Sequence, residues 1–205
     1  MGHALNDTKQ KLINTALELL WTSSYGSVSV DDICKAADVK KGSFYHFFPS
    51  KVDLALAAME ETVSNLKAAH DEIFSAGRDP VTRFEHYADF VYEGQAQSAA
   101  KYGHVCGCPV VSLGSEMACQ EDRIRDKFEE IMTNKKRYFE STLRDMIADG
   151  TLPAKTNVKS KTEEIYAYMI GQLTMARIQN NLEPLKRDFK QGLLNLLGVK
   201  KKTAA

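Results

Sequence analysis

The sequence contains no apolar run long enough to cross a bilayer, and no charged start followed by an apolar stretch of the kind that marks a secretory signal. The expected location is the cytoplasm, with no membrane partner. Met1-Gly2 does not open a myristoylation motif, because Asn6 stands where that motif needs Ser or Thr. Catalytic signatures are missing as well. There is no G-x-G-x-x-G loop to cradle phosphates, no carboxylate pair placed for acid–base work and no Cys/His pair at a recognised catalytic spacing, which argues against an enzyme and calls for no cofactor. Internal repeats, low-complexity segments and convincing strands are also absent. So is any excess of charge, since 27 basic residues balance 27 acidic ones. Spread evenly, that balance would argue against a nucleic-acid partner.

The charge is not spread evenly. Residues 35–51 carry Lys35, Lys40, Lys41 and Lys51 against one acid, Asp38, while Glu60, Glu61, Asp71 and Glu72 follow soon after. The same stretch, residues 28–54, predicts two short helices around a tight turn and then a third helix, the layout of a helix-turn-helix DNA reader. Ser29 with Asp32 forms a capping box, Pro49 ends the middle helix, and Ser50 with Asp53 repeats the capping device. Ile33, Ala36, Ala37 and Val39 supply the apolar side of the first short helix, and Phe44 and Phe48, four residues apart, that of the second. Tyr45 and His46 then point outward. With Ser29, Ser43, Lys40, Lys41 and Lys51 they make a surface suited to phosphate oxygens and base edges, and Gly42 leaves room for close backbone approach. Cys34, on the buried side, reads as a small apolar residue.

These residues resemble the TetR family of bacterial transcriptional regulators. The pattern T-x(4)-I-x(2)-A at Thr8, Ile13 and Ala16, with Leu20, is similar to the family's first helix, and Gly26 to its turn. Ile33, Ala36, Val39, Gly42, Tyr45, Phe48, Lys51 and Leu54 match the following positions in order, over about residues 8–54. The resemblance implies that residues 41–48 form the recognition helix and that Tyr45 and Lys51 touch the DNA backbone. Three positions depart from the pattern. Asp38 replaces the turn glycine and can adopt the left-handed conformation, Lys40 replaces a small capping Ser, and Phe47 replaces the His or Tyr that supplies a phosphate hydrogen bond.

Beyond residue 50 the apolar spacing predicts a linking helix over 50–76, then helices over 81–100, 105–118, 121–148, 161–181 and 184–197. The fold class is therefore all-α: a three-helix DNA-binding domain at 1–54, a helical effector-binding and dimerisation bundle at 55–199, and a disordered tail at 200–205. The last two long helices are apolar over much of their circumference. The family resemblance implies that they pair with their copies in a second subunit, with Tyr168, Gly171, Met175, Leu193 and Leu197 at the interface. An intramolecular core is the alternative.

Three of the four cysteines fall within residues 104–119. Gly107-Cys108 through Leu113 and Glu116 is similar to the G-C-x(4)-L-x(2)-E segment of a subset of TetR-like repressors, the NemR-type sensors of electrophiles and chlorine oxidants, which nominates Cys108 as a sensing thiol. Cys108 lies just ahead of a helix starting at Pro109, with His104 and Lys101 nearby in sequence, surroundings that make thiols reactive. Cys119 is the candidate resolving partner for Cys108. A metal held by Cys106, Cys108, Cys119 and His104 is disfavoured by the C-x-C spacing. The third option is an organic-ligand pocket drawing on Phe90, Tyr102, His86, Met117, Phe128, Tyr138 and Met169. Together these readings predict a homodimeric repressor released from a palindromic operator by a small-molecule effector or by thiol modification. The alternatives are cysteines that only pack, a helical interaction module or a helical enzyme.

Overall fold

The computed structural model describes residues 2–199, and among them every regular element is an α-helix, as the sequence pattern predicts. The order is α1 (Gly2–Thr22), α2 (Val30–Ala36), α3 (Lys41–Phe47), α4 (Lys51–Ile73), α5 (Pro80–Tyr102), α6 (Pro109–Met117), α7 (Asp122–Ala148), α8 (Val158–Gln179) and α9 (Glu183–Leu196). The expected tail at 200–205 lies outside the described residues. The helix expected over 105–118 begins only at Pro109, because Gly107 takes φ +68° and Pro109 has no N–H to continue a helix backward. Among the described residues no helix is long and apolar enough to cross a membrane.

The chain forms two compact units. The first comprises the chain up to Leu66 together with Cys108–Ile131, so it takes in α6 and the start of α7 as well as the three N-terminal helices. Its core gathers Leu12, Ile13 and Ala16 of α1, Ile33, Cys34 and Ala37 at α2, Phe44 and Phe48 at α3, and Leu54 and Ala58 of α4. Ala36, expected on this apolar side, is exposed. The buried stripe of α2 is centred between Ile33, Cys34 and Ala37, which turns Ala36 toward solvent. The capping box at Ser29 forms in both directions, with Asp32 N–H donating to Ser29 Oγ at 3.1 Å and Ser29 N–H to Asp32 Oδ2 at 2.9 Å. At Ser50 the hydroxyl accepts from Asp53 N–H at 3.3 Å and donates to the Asp53 carboxylate at 2.7 Å.

The second unit comprises Lys67–Gly107 and the chain from Met132 onward. Here α5 and α8 both pack on α9. Asp79 caps α5 ahead of Pro80, Asn157 caps α8, and left-handed Gly103 and Asn180 close the two helices. The core is aromatic: Phe74 meets Phe84, Tyr87, Tyr138 and Phe139 at centroid distances of 5.3–6.2 Å. Arg83 is buried, and its charge is met by Asp145 while the carbonyls of Arg78 and Ala76 accept from its Nε and Nη2. His70 is buried against the rings of Tyr87, Phe90 and Tyr138, each 5.8 Å away.

Burial first, and the Lys135 ammonium second, push the His70 pKa down to about 4. The unfolded chain therefore binds a proton at His70 near pH 6.5 that the folded chain refuses until about pH 4. Stability from this group is complete above pH 6.5 and is lost as the pH falls toward 4, by up to about 3 kcal/mol. Urea unfolding of wild type and His70→Phe between pH 7 and pH 4.5 should show a steep loss in the wild type and a shallower one in the variant. Parallel curves would contradict this reading of the buried imidazole.

Candidate nucleic-acid interface and effector residues

The outward face of α3 is set by what its inward face buries. Phe44 and Phe48 are 0 % and 4 % exposed, which leaves Tyr45 half exposed and His46 open to solvent. The turn into α3 passes through Asp38 at φ +50° and is held by Val39 N–H donating to Cys34 O at 2.9 Å. Lys40 occupies the N-cap of α3 without a side-chain cap bond, so its ammonium is free of that task. Lys40, Lys41 and Gly42 are exposed, and a Cβ on Gly42 would meet nothing within 4 Å. Thr8, Gly42, Ser43, His46 and Phe47 line a depression on this face, where Phe47 offers no hydrogen-bonding group. Lys41 is paired with Asp31 of α2 at 2.7 Å, both side chains well exposed, and this pairing holds the Lys41 pKa above its usual value.

Two candidates have structural tasks. The Ser29 hydroxyl is committed to Asp32, donating to its carboxylate at 2.6 Å while accepting its N–H. Lys51 points toward the α1–α2 turn, where its ammonium donates to the carbonyls of Tyr25 and Val28 at 2.7 Å each and lies 3.8 Å from the centre of the Tyr25 ring. Those bonds use two of its three N–H donors. Burial pushes the Lys51 pKa down, opposed by the carboxylate of Glu116. Glu116 itself accepts from Tyr25 N–H at 2.9 Å and Gly26 N–H at 2.6 Å. Sequence reasoning gave Glu116 no task. Its partners lie some ninety positions away, and only its place in the G-C-x(4)-L-x(2)-E segment marked it.

The effector candidates divide between the two units. Cys106 is 0 % exposed in the second unit, and burial pushes its thiol pKa up against the pull of Arg177. The segment leading to it is locked: Val105 N–H donates to Asn180 Oδ1 at 2.8 Å, and the Gln95 amide meets both N–H and C=O of Gly107 at 2.9 and 3.0 Å. His104 Nδ1 lies 3.1 Å from Tyr102 O. Phe90 and Tyr102 are half-buried and Met169 is buried in this same unit, whereas Met117 and Phe128 belong to the first. His86 is exposed, with Nδ1 against Arg78.

Cys108 is half-buried at the N-cap of α6, and Cys119 is exposed beyond its other end. A helix of 9 residues rises about 13 Å, well past the reach of a disulfide, so Cys119 is not positioned as the resolving partner of Cys108. Among the described residues no group of three His, Cys, Asp or Glu side chains is gathered to hold a metal.

Of the interface candidates, Gly171 and Met175 are exposed on α8, beside Ile178 at 71 % exposure. Leu193 and Leu197 are each 1 % exposed and belong to the core of the single chain, because α9 turns its leucines onto α5 and α8. Tyr168 is half-buried, stacked on Phe189 with centroids 5.9 Å apart, its hydroxyl donating to the carbonyls of Asp188 and Phe189. A side chain at Gly192 would collide with that hydroxyl.

Residues 12–58 match the family described as bacterial regulatory proteins, tetR family, and residues 82–191 match the tetracyclin repressor-like C-terminal domain. The transcriptional regulator AcuR of Cereibacter sphaeroides is 32% identical over 177 residues, covering 86% of this chain and 79% of that protein. The transcriptional repressor NemR of Escherichia coli is 22% identical, over 90% of this chain and 91% of that one. Among solved structures, a regulatory protein TetR from Rhodobacter sphaeroides aligns with a TM-score of 0.79 at 30% identity, covering 92% of this chain and 96% of that one. The reduced form of E. coli NemR aligns at 0.77 and 22% identity, covering 93% and 97%, a likeness of fold. The three N-terminal helices, the exposed face of α3 and these matches agree: the chain belongs to the TetR family of DNA-binding transcriptional regulators, which are not enzymes.

Proposed function

We propose that the protein is a homodimeric cytoplasmic repressor, with residues 1–54 as its reading domain and residues 55–199 as its effector-binding and dimerisation domain. It leaves a palindromic operator when an effector acts on the C-terminal part. The observation that carries this reading is the composition of α3, which buries Phe44 and presents Tyr45, His46, Lys40 and Lys41 together. Phosphate contacts from Tyr45 and the lysines set the register of the helix, and His46 and Ser43 face the base edges. The open Gly42 lets the backbone approach. Dimerisation uses the exposed small and apolar residues of α8, Gly171 and Met175, with Ile178 in line with them, and sets two recognition helices about 34–36 Å apart. Helix α4 contributes residues to both units, so it is a covalent route from the effector-binding part to the reading domain. A coupling of about 1–3 kcal/mol between effector and DNA suffices to change DNA affinity several-fold to a hundredfold.

The class of effector is tested at Cys108, which is half-buried where Cys106 is wholly enclosed. Iodoacetamide would form a bond from the Cys108 sulfur to its methylene carbon as the carbon–iodine bond breaks and iodide leaves, the thiol proton passing to solvent. Fluorescence anisotropy on duplex DNA from the protein's own upstream region, with reduced and then alkylated protein, separates the two readings. Loss of binding in treated wild type but not in treated Cys108→Ser identifies a thiol-controlled repressor. Unchanged binding after treatment assigns the cysteines to packing and the effector to a non-covalent organic ligand.

The exposed pair on the reading face gives a second test with opposite signs. Lys41→Ala should weaken binding to every duplex and reduce the slope of log affinity against log salt by about 0.9. Asp31→Asn frees Lys41 and should raise affinity, with both variants melting close to wild type because the pair is solvent-exposed. A change in sequence preference without a change in salt slope would show that Lys41 reads bases.

A further inference from the structure

The turn between α1 and α2 is gripped from two sides. Its carbonyls at Tyr25 and Val28 accept from Lys51 of α4, and its N–H groups at Tyr25 and Gly26 donate to the Glu116 carboxylate of α6. All these residues belong to the first unit. The two grips differ in origin. Lys51 belongs to the N-terminal helical group it fastens, whereas Glu116 is delivered by α6, which follows the second-unit segment Lys67–Gly107 and has Cys108 as its N-cap. A carboxylate accepting two backbone N–H bonds holds their direction as well as their position. The turn runs directly into Ser29 and the N-terminus of α2, which packs on α3. Two further pairs tie the same neighbourhood together, Arg123 of α7 with Asp53 of α4 and Lys127 of α7 with Glu60 of α4. Arg123, with Ser50, holds the Asp53 carboxyl below the usual carboxylate range.

We infer that Glu116 is a positioning residue for DNA binding: by holding the N–H groups of Tyr25 and Gly26 it fixes the orientation of α2 and α3. The inference rests on the DNA-binding reading and deepens it, since it names a contact that holds the reading helices in place. It also gives a task to the final acid of the G-C-x(4)-L-x(2)-E segment. Glu116 touches no DNA in this account.

The sign of the effect separates positioning from charge. Removing a carboxylate from a DNA-binding unit raises affinity when only the electrostatic field matters, and steepens the dependence on salt. Glu116→Gln keeps the shape, but its amide can accept at one oxygen only, so one of the two turn N–H groups loses its acceptor. Gly26→Ala keeps every charge and instead places a Cβ 3.0 Å from Glu116 Oε1, so that the carboxylate must give by a few tenths of an ångström and its bond to the residue-26 N–H weakens. Anisotropy titrations of both variants on the upstream duplex at several salt concentrations should show affinity falling about tenfold with the salt slope unchanged. Thermal melts confirm that each variant is folded at the assay temperature, and Gly26→Ala carries the test if Glu116→Gln does not fold. Wild-type affinity or tighter binding in either folded variant overturns the inference. Absence of salt-sensitive duplex binding by the wild type itself would instead overturn the DNA-binding reading.

Discussion

Phe44 lies wholly buried among side chains from α1, α2 and α4, and because α3 has only 7 residues, this ring together with Phe48 fixes the rotation of the whole helix. Full burial of such a side chain is worth about 1.5–3 kcal/mol, more than any single contact on the outer face of α3. Everything exposed there follows from it. Tyr45 and His46 come next in the chain and are carried outward, while Lys40 and Lys41 stand at the helix start, where neither is needed inside. An arrangement that buried Tyr45 in place of Phe44 would strand a hydroxyl in the core and turn the basic end inward.

The basic cluster around α3 coexists with zero net charge because several acids are paired elsewhere. Asp53 and Glu60 on α4 are engaged by Arg123 and Lys127 of α7, and Glu116 by backbone N–H groups, so these carboxylates act as structural partners near α4 and α6. Asp31 is the exception, since it lies close enough to hold Lys41. Lys51 shows the converse: a basic residue of the apparent DNA patch spends most of its donors on turn carbonyls and its charge on the Tyr25 ring.

What could be read from the sequence was what depends on neighbours within a turn or two of helix. The capping devices at Ser29 and Ser50 and the inward phenylalanines follow from local spacing, the left-handed turn at Asp38 follows from the family resemblance, and all are present. The faces of the last two helices were less legible. Broad apolarity did not distinguish leucines that close the chain's own core, Leu193 and Leu197, from the exposed Gly171 and Met175, since periodicity says how wide a face is but not what covers it. Least legible were the polar contacts between distant segments: Glu116 with Gly26, Lys51 with Val28 and Gln95 with Gly107 leave no periodic trace. The helix start at Pro109 was marked in the sequence by the proline itself, whereas the Gln95 grip on Gly107 just before it was not.

The central claim, that two copies of α3 enter successive major grooves of one duplex, is tested most directly by a hydroxyl-radical footprint of the full-length protein on its upstream DNA. The account predicts two protected patches on the same face of the helix, centred about one turn or a whole number of turns apart and symmetric about a palindrome. A single patch, or two patches on opposite faces, would contradict it.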